Sequence, residues 1–364
     1  VGVLGRTGRL PVMYAEASAS HLLGVLYIKF SPLWTVAVKA LIALSKGHQD
    51  VVWPAIHTHV CLLIREYPYR EGSSESVADH SESANIPLDL ELLFSACIEW
   101  DDSHGADARL FRGQILAAGN AGRVSRHHNS DNMTVFESVW GVVEGAPSLL
   151  TSHEGVIVPM FIEFMCFQYF RVQTNDPNER ELRLEDRLMG GGESSALQPD
   201  SGMSLDTRAV YRRLLCMLKA FAAVNGPRNS IHHDALLSIF CVLSGHQDTE
   251  IAKTSLTALS KFKLSYLSPH MDILKGFFEK GKLRDSLMQL QSAVESGALI
   301  NEHRKQLTPL LSRILFGRLS ARAVGAKSSK DTPAARRAAI LSFLSSFCET
   351  AGEAYPFIYL MSRG

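Results

Sequence analysis

The sequence has 364 residues, with 37 basic and 37 acidic side chains, so its formal net charge is zero. This length exceeds what one hydrophobic core usually supports, which predicts two domains or an elongated repeat array. No apolar run is long and uninterrupted enough to cross a bilayer, and no signal peptide is recognisable, so we expect a soluble intracellular protein. Because the chain begins at Val1 and ends within an apolar segment, we expect a piece of a longer protein.

The charge is divided unequally along the chain. Residues 1–206 carry 26 acidic and 15 basic side chains, whereas residues 207–364 carry 11 acidic and 22 basic ones. With histidine counted as neutral, the two parts have net charges of −11 and +11. A basic second part is compatible with an anionic partner, either nucleic acid or an acidic protein surface.

The first predicted element in chain order is a helical repeat segment over residues 1–69. Within it, Leu41–Ile56 (LIALSKGHQDVVWPAI) reads as a helix end, the string Gly-His-Gln-Asp and a second amphipathic helix. Cys241–Leu256 has the same arrangement around the same four letters. A helix, a tight polar turn with aspartate as its cap and a second helix with a small inner residue are typical of HEAT or armadillo units.

Two stretches of charged, serine-rich or glycine-rich sequence interrupt the helical pattern. Residues 70–132 predict a mostly flexible acidic insertion, and residues 174–205 predict a disordered linker. Both have too few apolar residues to offset the entropy lost on ordering. Between them, residues 133–173 predict a helical hairpin, with helices at Met133–Glu144 and Leu149–Arg171.

The last segment, residues 206–364, has the clearest helical periodicity and contains a basic loop over residues 320–332. Its first helix, Asp206–Val224, opens with aspartate as N-cap and buries one apolar stripe. Further helices are expected at Ser230–Leu243, at Thr249–Phe262 with Asp248 as N-cap, and at Pro269–Lys280, Glu302–Leu319 and Pro333–Phe347. The core residues expected between these helices are Leu214, Leu218, Leu236, Phe240, Leu256, Leu259, Ile314 and Leu341.

The connections between these helices are short, so neighbouring helices should pack antiparallel. We find no set of strands separated by helices, which argues against a parallel α/β sheet. The predicted fold class is therefore all-α, a HEAT/armadillo-like helical repeat solenoid with disordered acidic insertions.

Patterns for catalysis and for metal or cofactor binding are weak. Gly2–Gly8 (GVLGRTG) lacks the preceding strand and the following lysine that a phosphate-binding loop requires. His57 and His59 are two residues apart, which on a helix turns them away from each other. The cysteines form no C-x-x-C pair and read as buried thiols in a reducing compartment. We therefore expect no enzymatic activity, cofactor, metal or small-molecule substrate.

The strongest functional signal is a basic run near the end of the chain. From Arg304 to Arg337 there are nine lysines and arginines and one acid, Asp331. In the loop over residues 320–332, Gly, Ala and Ser separate the charges, so this loop can follow a phosphate backbone. The loop contains no aromatic residue, so stacking on bases is not indicated. A solvated loop between two helices is the other interpretation. The candidate RNA-facing or anion-facing residues are Arg313, Arg318, Arg322, Lys327, Lys330, Arg336 and Arg337.

Three blocks of the sequence carry a resemblance to one family. They are His21–Leu44 (HLLGVLYIKFSPLWTVAVKALIAL), Tyr211–Leu259, and Tyr266–Leu287 continued by Ile300–Leu344. The last block contains the specific string Arg313–Arg318 (RILFGR), followed by a basic gap. In content and order these blocks resemble the small-subunit processome component 20 family of nucleolar proteins, also called the "down-regulated in metastasis" family.

The resemblance implies a non-catalytic α-solenoid scaffold of the nucleolar small-subunit processome, acting in pre-ribosomal RNA processing and small ribosomal subunit biogenesis. It implies pre-ribosomal RNA and ribosome-assembly proteins as partners, and no membrane. A general HEAT-repeat protein-binding adaptor without an RNA role is the alternative. Binding that weakens steeply with salt favours the first function, and salt-tolerant binding to one protein partner favours the second.

Overall fold

The computed structural model describes residues 11–28, 30–65, 130–169, 206–224, 232–297, 301–321 and 332–347. Within these ranges the chain is built from α-helices, and none of these residues lies in a β-strand. The chain divides into two compact units, Val1–Ala220 and Phe221–Gly364. The all-α, helical-repeat class is thereby confirmed. The predicted insertion and linker lie almost wholly outside the described residues.

The first unit is a layered set of helices. They are α1 (Val12–Val25), α2 (Ser31–Gly47), α3 (Gln49–Arg65), α4 (Ser130–Gly145), α5 (Pro147–Ser152), α6 (Glu154–Phe164) and α7 (Thr207–Ala223), whose last three residues belong to the second unit. Helix α1 packs against α2 and α3, and α4 packs against the same two helices. The large side chains of Phe136, Trp140 and Phe161 fill the core between them.

The helix expected from Leu149 to Arg171 is interrupted. Helix α5 ends at Ser152, and His153 leaves the helical conformation with φ −119° and ψ 28° before α6 begins. The imidazole of His153 stacks on the indole of Trp53 in α3, with ring centroids 4.3 Å apart and planes 5° apart. After α6 a π-helical turn follows at Met165–Tyr169. Apolar periodicity alone does not reveal such a break.

A buried arginine closes the C-terminal end of α3. Arg213 of α7 is 3% exposed and donates from Nη1 to the Leu63 carbonyl (3.1 Å) and to Gln168 Oε1 (3.4 Å). Gln168 in turn donates from Nε2 to the Ile64 carbonyl (2.6 Å), and the guanidinium carbon lies 5.0 Å from the Phe136 ring centroid. The last carbonyls of a helix have no donors within the helix, so the guanidinium of Arg213 supplies one. Its positive charge also interacts favourably with the negative end of the helix dipole.

The second unit, taken by itself, is also built from packed helices. They are α8 (His233–Leu243), α9 (Thr249–Ser260), α10 (Met271–Gly276), α11 (Leu283–Glu295), α12 (Asn301–Ser320) and α13 (Pro333–Phe347). Helix α8 packs against α9 and α12, α10 packs against α9 and α11, and α13 packs against α11 and α12. Helices α12 and α13 have almost the bounds that the sequence predicts.

The predicted helix Pro269–Lys280 is confirmed only in its first part, and its predicted end is wrong. A 3₁₀ turn at Ser268–His270 leads into α10, which stops at Gly276. The chain then turns through buried Phe277 and Phe278 to Gly281, whose φ of 76° is left-handed. Helix α11, which follows, is absent from the sequence-based prediction, although its buried Leu283, Leu287 and Leu290 have helical spacing.

Seven of the eight predicted core residues of the last segment are buried, and Leu341 is the exception. Leu341 is 52% exposed, so its predicted burial is wrong. Helix α13 instead buries Ile340, Phe343 and Phe347. Apolar residues occur all around this helix, so their spacing does not define which side faces the core.

Candidate nucleic-acid interface

The seven basic residues of the candidate surface fall on α12, on α13 and on the connection between them. Arg313 and Arg318 lie on α12, and Arg336 and Arg337 lie on α13. Arg322, Lys327 and Lys330 lie outside the described residues. The structure therefore gives side-chain positions for four members of the set.

The guanidinium of Arg318 is engaged within the second unit. Its Nη1 donates to the hydroxyl of Thr249 at the start of α9 (2.9 Å), and its guanidinium carbon lies 5.8 Å from the centroid of the Phe278 ring. This is a hydrogen bond combined with a cation–π contact. Arg318 therefore ties the last turn of α12 to the first turn of α9.

The arginine pair at the start of α13 is divided between two environments. Arg336 donates from Nη2 to the Ala321 carbonyl, just after the end of α12, at 2.5 Å. This bond holds together the two helix ends that flank residues 322–331. Arg337 has an exposed side chain. Only one of these neighbours is thus directed mainly to solvent.

Two further basic residues show that charge counted along the sequence overstates the charge at the surface. Arg304 of α12 is 5% exposed, donates to the Phe347 carbonyl and places its guanidinium carbon 5.0 Å from the Phe347 ring centroid. Arg313 is half-buried and lies close enough to Cys241 to counteract part of the rise in the pKa of that thiol caused by burial.

The two sequence strings singled out above meet at a close contact. Gly317, in the string Arg313–Arg318, lies against Gly245, the first letter of Gly-His-Gln-Asp in the second unit. A Cβ on Gly317 would collide with the Gly245 carbonyl oxygen, and a Cβ on Gly245 would lie 2.7 Å from the Arg313 carbonyl oxygen. Glycine at both positions lets α12 pack directly on the turn after α8.

The Gly-His-Gln-Asp turn is held by its own side chains. His246 Nδ1 accepts a hydrogen bond from the Asp248 amide (2.8 Å), and Asp248 Oδ1 accepts from the amides of Glu250 (2.8 Å) and Ile251 (3.3 Å). The predicted N-cap Asp248 is confirmed. Burial lowers the pKa of His246, and the nearby Asp248 carboxylate partly opposes this.

The earlier copy of Gly-His-Gln-Asp has a different geometry. Helix α2 ends at Gly47 and α3 begins at Gln49, so His48 alone separates the two helices. The His48 carbonyl accepts from the amides of Val51 and Val52. Asp50 lies within the first turn of α3 rather than at a cap position. The expected aspartate cap is therefore wrong for the first copy.

Other classes of site receive little support from the described residues. Among them, no three His, Cys, Asp or Glu side chains converge in a way that could hold a metal ion. Burial raises the pKa of the Cys216 thiol to about 12, chiefly by desolvating its thiolate. No helix in the described ranges is both long and apolar enough to cross a membrane.

Successive helices that pack against their neighbours are the architecture of a helical-repeat protein. Residues 208–364 match the family described as U3 small nucleolar RNA-associated protein 20, N-terminal. This match confirms the resemblance carried by the three sequence blocks.

A relative in Saccharomyces cerevisiae, named U3 small nucleolar RNA-associated protein 20, is 21% identical over 333 residues. The match covers 90% of this chain and 12% of the yeast protein. The chain therefore spans a small part of the length of this relative. The region that matches the yeast protein also includes residues before position 208, where the family match begins.

Proposed function

We propose that the chain is a non-catalytic scaffold of the nucleolar small-subunit processome, acting in pre-ribosomal RNA processing and small ribosomal subunit biogenesis. The observation that carries this proposal is the family match over residues 208–364. The name of the yeast relative describes association with U3 small nucleolar RNA, and we extend that association to this chain. Its helical pairs are HEAT-like or armadillo-like units in this proposal.

The architecture supports a scaffold. Helical-repeat proteins present long surfaces to several partners, and their function lies in those surfaces. The repeat string Gly-His-Gln-Asp and the family string Arg313–Arg318 both contribute to packing: Gly245 and Gly317 allow a close helix contact, and Arg318 ties two helices. None of these residues needs a chemical role to explain its presence.

We further propose that the basic run contacts RNA. Arg337 is exposed and Arg313 is partly exposed, and Arg322, Lys327 and Lys330 add three charges between α12 and α13. Arg318 and Arg336 contribute by shaping the two helix ends rather than mainly by their charge. Because Arg318 and Arg336 donate to groups within the protein, fewer charges of the run face solvent. This observation favours a second candidate function, a HEAT-repeat adaptor that binds only proteins.

The test is recovery of RNA with the tagged chain. The chain is expressed in cells, purified under mild salt, and the co-purifying U3 small nucleolar RNA is quantified against an abundant spliceosomal RNA. Enrichment of U3 RNA, with nucleolar fluorescence of the same tagged chain, is the expected result. Protein partners that persist in high salt without any enrichment of U3 RNA would instead establish the adaptor function.

A further inference from the structure

Helix α2 presents an apolar stripe to solvent. Leu33 and Val36 are 41% and 63% exposed, and Phe30, immediately before the helix, is 54% exposed. Ala40 follows on the same side and is half-buried. Leu33, Val36 and Ala40 have the i, i+3, i+7 spacing of a seam that faces another helix. We call Phe30, Leu33, Val36 and Ala40 the α2 stripe.

Among the described residues of the first unit, packing leaves most of the α2 stripe exposed. Helix α2 buries Ala37, Leu41 and Leu44 in the core. Its Val38 and Ile42 side chains lie nearest to Gly141 and Gly145 of α4. Farther along α2, Ala43 and Leu44 lie on the same side as the stripe and are buried. The stripe is therefore the exposed N-terminal part of that side of the helix. Single exposed apolar residues are ordinary, but several on one side of one helix mark an interaction surface.

The stripe lies in the sequence block that carries the family resemblance. Phe30, Leu33 and Val36 all belong to His21–Leu44, the first of the three matching blocks. The block therefore includes large apolar side chains that the core of this chain does not use. A surface that binds another molecule accounts for their presence.

The charge around the stripe selects the kind of partner. Residues 17–49 contain no aspartate or glutamate, although residues 1–206 as a whole carry 26 acids. Lys39 and Lys46 are exposed and seven residues apart, so they lie on one flank of the seam. Charges flanking an apolar seam determine which helix binds there, and lysines favour acidic side chains opposite them.

We propose that the α2 stripe binds an amphipathic helix of a partner protein, with apolar residues facing Leu33 and Val36 and acidic residues facing Lys39 and Lys46. This surface lies in the first unit and goes beyond the proposed function, whose RNA contact is assigned to the basic run of the second unit. Its partner is a protein helix and not RNA.

The test uses the full 364-residue chain and two fluorescent helical peptides of about 20 residues, read by anisotropy. Both peptides carry leucine at the seam positions; one has glutamate at the flanking positions and the other has lysine. The chain should bind the glutamate peptide about tenfold more tightly than the lysine peptide. Val36→Asp should weaken that binding about tenfold, and Lys39→Glu should reduce or reverse the preference between peptides.

Met288→Asp is the matched control, because Met288 of α11 is similarly exposed at 57% but lies in the second unit. It should leave binding unchanged, and circular dichroism should show all variants folded. Absence of binding to the glutamate peptide, or equal binding by folded Val36→Asp, overturns the proposal. A homodimer that Val36→Asp dissociates would assign the stripe to a second copy of the chain and overturn it as well.

Discussion

Gly317 of α12 lies directly against Gly245, the glycine of the turn that follows α8. The two residues are 72 positions apart, and each occurs in a short string that stands out in the sequence. The contact explains both strings by packing: a side chain at either glycine would push the helix and the turn apart. The neighbouring bond from Arg318 to Thr249 fixes the same junction.

Gly317→Ala should therefore destabilise the second unit. We expect a loss of about 1–3 kcal/mol in the free energy of unfolding, because the new Cβ meets backbone that must move. The matched control is Gly141→Ala in α4, where the nearest atom to the new Cβ is Val38 Cγ1 at 4.0 Å. Removing that helical glycine should stabilise by about 0.5–1 kcal/mol. Equal effects of the two substitutions in urea denaturation would refute the proposed contact.

A buried hydroxyl in α9 offers a stabilising substitution. Ser255 is fully buried and its Oγ has no hydrogen-bond partner. Ser255→Ala should raise the free energy of unfolding by about 0.5–1 kcal/mol, since alanine removes an unsatisfied polar group and favours the helix. Ser45 of α2 is the control: it is equally buried but donates to the Leu41 carbonyl at 2.8 Å. Ser45→Ala should not stabilise, and a Ser255→Ala protein that melts earlier would contradict this assignment.

Neighbouring arginines on α7 should differ strongly in importance. Arg213→Met leaves the Leu63 carbonyl and Gln168 without their buried donor and should cost about 2–4 kcal/mol. Arg212 instead makes an exposed ion pair with Glu137, and its side chain is 49% exposed. Arg212→Met should cost about 1 kcal/mol or less. Chemical denaturation of both variants measures the difference, and similar losses would show that the buried network contributes little.

The acid stability of the first unit should depend on His59. This imidazole is buried, its Nδ1 lies 2.7 Å from the Tyr27 hydroxyl, and burial lowers its pKa from 6.5 to about 4. The unfolded chain therefore takes up this proton at higher pH than the folded chain. The resulting stability is complete above pH 6.5 and is lost as the pH falls towards 4, amounting to about 3 kcal/mol.

His59→Gln should remove that part of the pH dependence. The variant keeps a polar group opposite Tyr27, so it is compared with the wild type by urea denaturation at several pH values from 7.5 to 4. We expect the wild type to lose more stability over this range than the variant. Parallel curves would mean that His59 titrates alike in the folded and unfolded chain.

Local sequence signals predict local structure well in this chain. The sequence predicts Asp206 and Asp248 as N-caps. Asp206 accepts a hydrogen bond from the Arg208 amide, and Asp248 accepts from the amides of Glu250 and Ile251. Capping depends on residues within one turn, so it can be read from sequence. The side of α13 that faces the core depends on neighbouring helices, and Leu341 was accordingly assigned to the wrong side.

The sequence does not reveal which arginines form hydrogen bonds to distant parts of the chain. Arg318 and Arg336 belong to an acid-poor run that resembles a nucleic-acid contact, yet they donate to Thr249 and to the Ala321 carbonyl. Thr249 is 69 residues from Arg318 in sequence, and no local pattern connects them. The RNA-facing assignment of the seven basic residues remains a prediction for the same reason.

The central claim is that the basic run of the second part contacts RNA, and salt dependence of RNA binding tests it most directly. Affinity for a structured ribosomal RNA fragment is measured against salt for wild type, for Arg322→Ala/Lys327→Ala/Lys330→Ala, and for Lys280→Ala/Lys282→Ala/Arg284→Ala as a control of equal charge loss. The first variant should bind more weakly and flatten the slope of log affinity against log salt by about two units. The control should retain the wild-type slope. If the first variant keeps the wild-type affinity and slope, or if both variants lose them equally, the run is a solvated connection and the claim is wrong.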